Sequence, residues 1–212
     1  VEHGSELRPF DLKKLELIQK KYAGKFKTQK IEGVEIIAGV DCHYRNDQIV
    51  CVAVATDLEG NILNRVKVEG KNFFPYIPTF FAFREGPWMV AALRKLLPKP
   101  QVVFVDGNGR LHPRKAGLAV FVGVRLNIPT IGFSKNPMKN LPEKCTEKEI
   151  ILMEDGAAIC RRGWKKPVFI SPGNLITLED AIDLYQQLAK TKLPPPLKIA
   201  HSQAKHSISA VY

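Results

Sequence analysis

The sequence predicts an α/β domain on a mixed sheet, with an antiparallel three-strand meander first, parallel strands after it, and helices on the flanks. Three observations lead there. Three strand-like runs follow one another closely and are joined by turn-forming pairs. A strand–helix–strand succession then signals a parallel crossover. Amphipathic or capped helical segments lie around these strands.

The elements can be justified in order. Asp11 to Tyr22 places Leu12, Leu15, Ile18 and Tyr22 at helical spacing among lysines. Ile36–Val40, Ile49–Ala55 and Ile62–Val68 are the meander strands, turned at Asn46-Asp47 and Gly60-Asn61. The aromatic stretch from Phe73 to Phe81 contains Pro75 and Pro78, which exclude a regular helix because each removes a donor and restricts its predecessor. Pro87 then suits a first helical turn, with Trp88, Ala91, Ala92 and Leu96 on one face until Pro98. Val102–Val105 has the continuous apolar character of a strand buried on both faces. A helix from about His112 to Leu126 and a strand over Ile128–Phe133 complete the crossover. A hairpin is expected at Asp155-Gly156, a strand at Val168–Ile170, and a last helix after the capping signature Thr177-Leu178-Glu179-Asp180. Pro194-Pro195-Pro196 is expected to end regular structure.

The chain has 212 residues, no internal repeat, no low-complexity tract and no linker, so residues 1–212 read as one domain. Apolar residues at 45% and charged residues at 25% exclude a disordered chain. The longest apolar runs fall far short of the ~20 residues of a membrane span. No basic stretch followed by an apolar segment opens the chain, so no secretory signal is expected. Cys42, Cys51, Cys145 and Cys160 lie 9, 94 and 15 residues apart without a C-x-x-C pair. That spacing suggests neither a zinc site nor a disulfide framework, and a reduced cytoplasmic protein is the expectation. Lys and Arg total 32 against 21 Asp and Glu, a surplus of +11 that points to a polyanionic partner.

Two aspartates hold equivalent places. Asp41 follows Ile36–Val40 and Asp106 follows Val102–Val105, so on neighbouring strands both emerge at one sheet edge. Two carboxylates held close repel, and a hard divalent ion such as Mg²⁺ removes the conflict. Glu85 adds a third acid just before the helix at Pro87. Any one of these acids alone is an ordinary helix cap or solvated strand end; three at element ends point to a metal site. Gly107 and Gly109 permit close approach of backbone to a ligand. His112 can hold or relay a proton, or simply cap the helix at Pro113. Lys135 can steady phosphate charge.

In order, Ala38-Gly39-Val40-Asp41, Pro75-Tyr76-Ile77-Pro78, Phe83-Arg84-Glu85-Gly86-Pro87, Val105-Asp106-Gly107-x-Gly109-x-x-His112-Pro113-Arg114 and Ile128-Pro129-Thr130-Ile131-Gly132-x-x-Lys135 resemble the endonuclease V family. A looser match continues through Ser171-Pro172-Gly173 and Leu193-Pro194. The resemblance implies a ribonuclease H-like fold and a Mg²⁺-dependent endonuclease (Mn²⁺ substituting) in the repair of deaminated DNA. Such enzymes nick at the second phosphodiester 3′ to inosine, leaving a 3′-hydroxyl and a 5′-phosphate. It implies metal binding by Asp41 and Asp106, a third catalytic acid at Glu85, and support from His112 and Lys135. Pro75, Tyr76, Ile77 and Pro78 form the implied strand-separating wedge, and Phe81, Gly107, Gly109 and His201 join them as substrate-binding candidates. Thr79 replaces a common glycine, Phe81 a common leucine, and Asn108 and Asn174 the usual histidines.

The wedge also has a physical rationale. A rigid Pro-Tyr-Ile-Pro tip orders at little entropic cost, and an aromatic ring returns ~1–3 kcal/mol to a base that has lost its stacking partner. Unstacking is cheapest at damaged or mismatched pairs. Phe80 and Phe83 are expected in a buried aromatic cluster. Two rivals remain from the residues: a ribonuclease H-like nuclease that cuts by structure, and a non-catalytic nucleic-acid-binding module. The choice between DNA and RNA stays open, since 2′-hydroxyl contacts depend on pocket geometry. A monomer is expected.

Overall fold

The computed structural model describes residues 11–135, 144–145 and 148–209. Among them, eight strands form one mixed sheet in the order β3-β2-β1-β4-β5-β8-β7-β6. The meander is β1 (Ile37–Arg45), β2 (Gln48–Thr56) and β3 (Ile62–Lys71), paired antiparallel. β4 (Val102–Asp106) and β5 (Thr130–Ser134) continue parallel to β1. The antiparallel strands β6 (Ile150–Met153), β7 (Gly156–Ile159) and β8 (Val168–Asn174) complete the other side. The expected mixed α/β sheet is present, with the antiparallel meander leading into the parallel pair.

The helices are α1 (Leu12–Gly24), α2 (Phe81–Arg84), α3 (Gly86–Lys95), α4 (Leu118–Leu126), α5 (Leu178–Leu188) and α6 (Pro195–Ser209). Asp11 and Thr177 cap α1 and α5 through their side chains, Thr177 as its capping signature leads one to expect. No described helix is long and apolar enough to cross a membrane.

The central strands are apolar on both faces because both are covered. Val103 and Val105 pack with Val40, Met89, Leu93 and Val122 under α3 and α4. Val102 and Phe104 pack with Ile37, Phe133, Ile170, Tyr185 and Leu197 on the opposite face. Val50, Val52 and Val54 meet Ala200, Ala204 and Ile208 of α6.

Four expectations need correction. Asp41 does not end its strand: β1 runs on to Arg45 because Cys42 to Arg45 pair with Gln48 to Cys51, a partner that a reading by apolar run overlooks. The crossover helix starts at Leu118, since 112–117 form turns and Lys115 adopts φ +51°, which breaks helical continuity. The prolines at 194–196 do not end regular structure. Pro195 opens α6, where a missing N–H costs nothing because the first helical amides have no intrahelical acceptor. Finally, Cys145 and Cys160 form a disulfide with Cα atoms 5.5 Å apart, so the expectation of reduced thiols fails for this pair. The β6–β7 hairpin folds the chain back, and the Cys160 amide donates to the Glu149 carbonyl (2.9 Å), which a count of intervening residues does not reveal. Cys42 and Cys51 are free, buried and paired across β1–β2.

One glycine fixes how α6 sits. A Cβ at Gly39 would lie 2.2 Å from the Leu197 amide nitrogen, so β1 and the start of α6 touch backbone to backbone. Replacing Gly39 by Ala is expected to destabilise the protein by about 1–3 kcal/mol, as overpacking does. Urea denaturation of Gly39→Ala checks this; wild-type stability would show that α6 has room to yield.

Candidate active site

Alternation along β1 puts Ile37, Gly39, Asp41 and His43 on one face, the face that α6 covers. Gly39 admits Leu197, and one helical turn later His201 reaches Asp41. The His201 Nδ1 to Asp41 Oδ2 distance is 2.7 Å, and His43 Nε2 lies 3.4 Å from the same oxygen. Asp41 Oδ1 accepts from the Cys42 amide at 2.8 Å. Val40 pairs with Val105, so Asp106 emerges beside Asp41, with its Oδ2 3.9 Å from His201 Nδ1. Glu85, the N-terminal boundary residue of α3, is buried and faces the same space. These residues share a cavity of about 750 Å³ with Tyr76, Pro78, Thr79, Phe81, Gly107, Asn108 and His112.

The electrostatics show three acids competing. Burial raises Glu85, and the charges of Asp41 and Asp106 add to it, carrying its pKa to about 8. Burial and the neighbouring Asp41 push Asp106 up to about 7, partly offset by Lys135 and the two histidines. Burial also acts against ionised Asp41, but hydrogen bonds from His201 and His43 outweigh it and hold its carboxyl below the ordinary value. Converging carboxylates with two imidazoles fit a divalent cation: an ion supplies the positive charge their burial calls for. Asp41, His43 and His201 offer ligand atoms all within 4.8 Å of one another.

The loop over residues 72–80 is held at both ends. At its start, the Asn72 side chain accepts from the Phe74 amide (3.2 Å) and donates to the Arg84 carbonyl (3.1 Å), while Arg84 donates to the Phe74 carbonyl. At its end, the Thr79 carbonyl receives Gln19 Nε2 at 2.7 Å, His112 Nε2 at 3.0 Å and Arg114 at 3.3 Å. Those bonds hold Thr79 at φ +69°, a left-handed conformation unfavourable for a β-branched residue. Arg114 also lies over the Phe80 ring and bonds the Gln19 side chain of α1. Between the two anchors Tyr76 stands 60% exposed, with Phe81 edge-on at 5.0 Å between ring centres.

The sequence candidates therefore separate. Asp41, Glu85, Asp106, Tyr76, Pro78, Phe81, Gly107, His112 and His201 line the cavity. Lys135, half-buried just past β5, acts on Asp106 through its charge. Pro75 and Ile77 are half-buried in the loop and do not line the cavity. Gly109 does not line the cavity: a Cβ there would meet the Pro172 carbonyl at 2.2 Å, and its amide donates to Ser171 Oγ. His112 lacks a free ring nitrogen. Its Nδ1 accepts from the Arg114 amide (3.2 Å), so Nε2 carries the hydrogen donated to Thr79. Burial, exceeding the effect of that bond, lowers its pKa to about 4 and keeps it neutral near pH 7. Phe80 is buried, and Phe83 packs near Phe74, Phe80 and Phe121, as expected of an aromatic cluster. His43, Gln19 and Arg114 are the residues that sequence reasoning missed. The signal for His43 was its position two residues after Asp41, visible once β1 is extended past Asp41.

Carboxylates gathered at the edge of a ribonuclease H-like mixed sheet, with Lys135 acting on Asp106, suit a nuclease that holds a divalent cation. A family model described as Endonuclease V matches residues 18–202. Endonuclease V of Methanopyrus kandleri is 36% identical over 203 residues, covering 92% of this chain and 88% of that protein. The crystal structure of endonuclease V from Bacillus subtilis superposes with a TM-score of 0.84 at 27% identity, over 94% of this chain and 93% of that one. A Ciona intestinalis endonuclease V structure, in complex with DNA containing an inosine followed by a ribo-adenosine, has the same fold (TM-score 0.83, 24% identity, 95% and 98% coverage). This chain belongs to the endonuclease V family.

Two outcomes follow from the site's electrostatics and anchoring. Unfolded Glu85 ionises near 4.5, the ordinary value for a glutamate, whereas in the fold it keeps its proton to about pH 8. Between those values the unfolded chain binds fewer protons, so this group's contribution to stability falls as pH rises. In chelator, Glu85→Gln should therefore gain stability relative to wild type between about pH 5 and pH 8, with the smallest difference at the acid end. Urea midpoints measured across that range check it, and a pH-independent difference would contradict the shift. His112→Ala should weaken binding of inosine-containing strands by roughly tenfold to a hundredfold if the loop that carries Tyr76 touches them, without weakening metal binding. Strand-binding and metal titrations of that variant separate the two effects.

Proposed function

We propose that this enzyme nicks inosine-containing nucleic acid, DNA in the first instance, at the second phosphodiester 3′ to the deaminated base. The observation that carries the reading is the convergence of Asp41, Glu85 and Asp106 in one cavity whose lining includes exposed Tyr76. The inosine-containing DNA held by the Ciona protein supports the choice of lesion. The surplus of +11 suits a phosphate backbone.

The chain's own residues divide the work. Tyr76, carried on an anchored loop, offers its ring to the base left unpaired beside the lesion. Phe81, Pro78 and the Gly107–Asn108 backbone border the space for a flipped base, and Gly107 at φ +152° turns the chain there. Asp41 and Asp106 hold a divalent ion, Mg²⁺ or Mn²⁺. When bound, that ion supplies charge to the scissile phosphate and acidifies water. Glu85, with a pKa carried to about 8 among its fellow acids, is poised to take or give a proton near neutral pH. Lys135 offsets charge developing beyond Asp106.

Asp41→Ala and Asp106→Ala should each lower nicking of an inosine oligonucleotide by roughly a thousandfold or more, since metal chemistry supplies several kcal/mol. Paired inosine-containing DNA and RNA strands, incubated with Mg²⁺ or chelator and mapped at the cut, provide the assay. Unimpaired cleavage by either variant, or in chelator, would sink the assignment. Strand binding should also fall steeply with added salt.

A further inference from the structure

The cavity floor carries more nitrogen than a Mg²⁺ site calls for. Asp41 Oδ2, His43 Nε2 and His201 Nδ1 form a triangle with sides of 2.7, 3.4 and 3.3 Å. Donor atoms bound at ~2.1 Å to one ion sit about 3.0 Å apart at an octahedral edge and about 3.4 Å apart at a tetrahedral one. The 3.3 and 3.4 Å sides match the tetrahedral spacing, and the 2.7 Å side, a hydrogen-bond length, needs to open by about 0.3 Å to reach the octahedral one. Both histidines hydrogen-bond in this cluster, and a cation would take the place of the shared protons at the same three atoms. Here both imidazoles direct a ring nitrogen at the same carboxylate oxygen and at each other, with the rings steeply inclined at 63° and their centres 4.8 Å apart.

The three groups are also mounted on rigid elements. Asp41 and His43 are alternate residues of β1, paired in register with Val52 and Val50. His201 lies on α6, which the Gly39–Leu197 contact presses onto β1. Asp41 is nearly enclosed, with its side chain 7% exposed, while His43 and His201 remain 27% and 31% exposed. An ion can therefore enter from the cavity, where Asp106 Oδ2 lies 3.9 Å from His201 Nδ1.

We propose that His43 is a metal ligand. With Asp41 and His201 it makes a two-histidine, one-carboxylate face that selects a first-row transition cation, with Mn²⁺ as the probe, over Mg²⁺. The physical reason is ligand type: imidazole nitrogens suit transition ions, while Mg²⁺ holds to oxygen and water. One face of three donors leaves further positions open toward Asp106 and a phosphate oxygen. This inference rests on the reading of the cavity as a metal-dependent nuclease site and adds the identity of the ion.

The experiment is Mn²⁺ and Mg²⁺ titration of the full chain by calorimetry, with electron spin echo spectroscopy of the Mn²⁺-bound protein. Wild type should bind Mn²⁺ at least about tenfold more tightly than Mg²⁺ and show modulation from coordinated imidazole nitrogen. His43→Ala should lose roughly tenfold or more in Mn²⁺ affinity and part of that nitrogen modulation, with far less change toward Mg²⁺. His43→Asn, closer in size and polarity, gives a second route if the alanine variant folds poorly, and the wild-type spectrum needs no variant. Mn²⁺ bound without nitrogen coupling, or equal Mn²⁺ affinity in wild type and a folded His43 variant, overturns the proposal. Nicking of inosine DNA by wild type is scored separately. Cleavage alongside a failed His43 result leaves the nuclease reading standing, whereas neither metal binding nor cleavage removes both.

Discussion

Repulsion among three carboxylates at a half-enclosed sheet edge governs the arrangement around it. Asp41, Glu85 and Asp106 come from a strand interior, a helix start and a strand end, and each reaches the cavity because its backbone element is locked elsewhere. Apolar packing on both faces of β1 and β4 fixes Asp41 and Asp106, leaving them little freedom to move apart. The compensation is partial. His43 and His201 hold Asp41 ionised, but Asp106 and Glu85 remain displaced toward their protonated forms. A cation brought by the solvent and a phosphate brought by the substrate are the natural partners of such a site.

The loop that carries Tyr76 answers a different requirement. Tyr76 is exposed, yet its loop is kept from collapsing onto the protein. Asn72 and Arg84 secure one end, and Gln19, His112 and Arg114 secure the other. His112 reaches that loop through the Thr79 backbone. The same anchor ties α1 to the loop that carries Tyr76.

Local signals failed where a partner distant in sequence decided the outcome. β1 looked finished at Val40 because apolar continuity stopped there, while its hairpin partner carried it to Arg45. The residues from His112 to Gly117 have helical composition in part, but the turn at Lys115 and the bond from the Gly117 amide to the Gly109 carbonyl hold them in a loop. α6 was lost because prolines stop a helix from within yet start one from its first turn, and the sequence alone does not say which. With α6 went the firm placement of His201.

By itself, the sequence determined the kinds of element, the order of the sheet's first strands, and the acids Asp41, Glu85 and Asp106. These are written in local apolar runs, turn pairs and short strings that survive any packing arrangement. Tertiary structure alone decided that His43 and His201 meet over Asp41, that Gly109 packs against Pro172, and that Cys145 joins Cys160. Each of those outcomes depends on how closely two distant backbones approach. That distance is set by the smallest side chain between them, as at Gly39, and no local pattern records it.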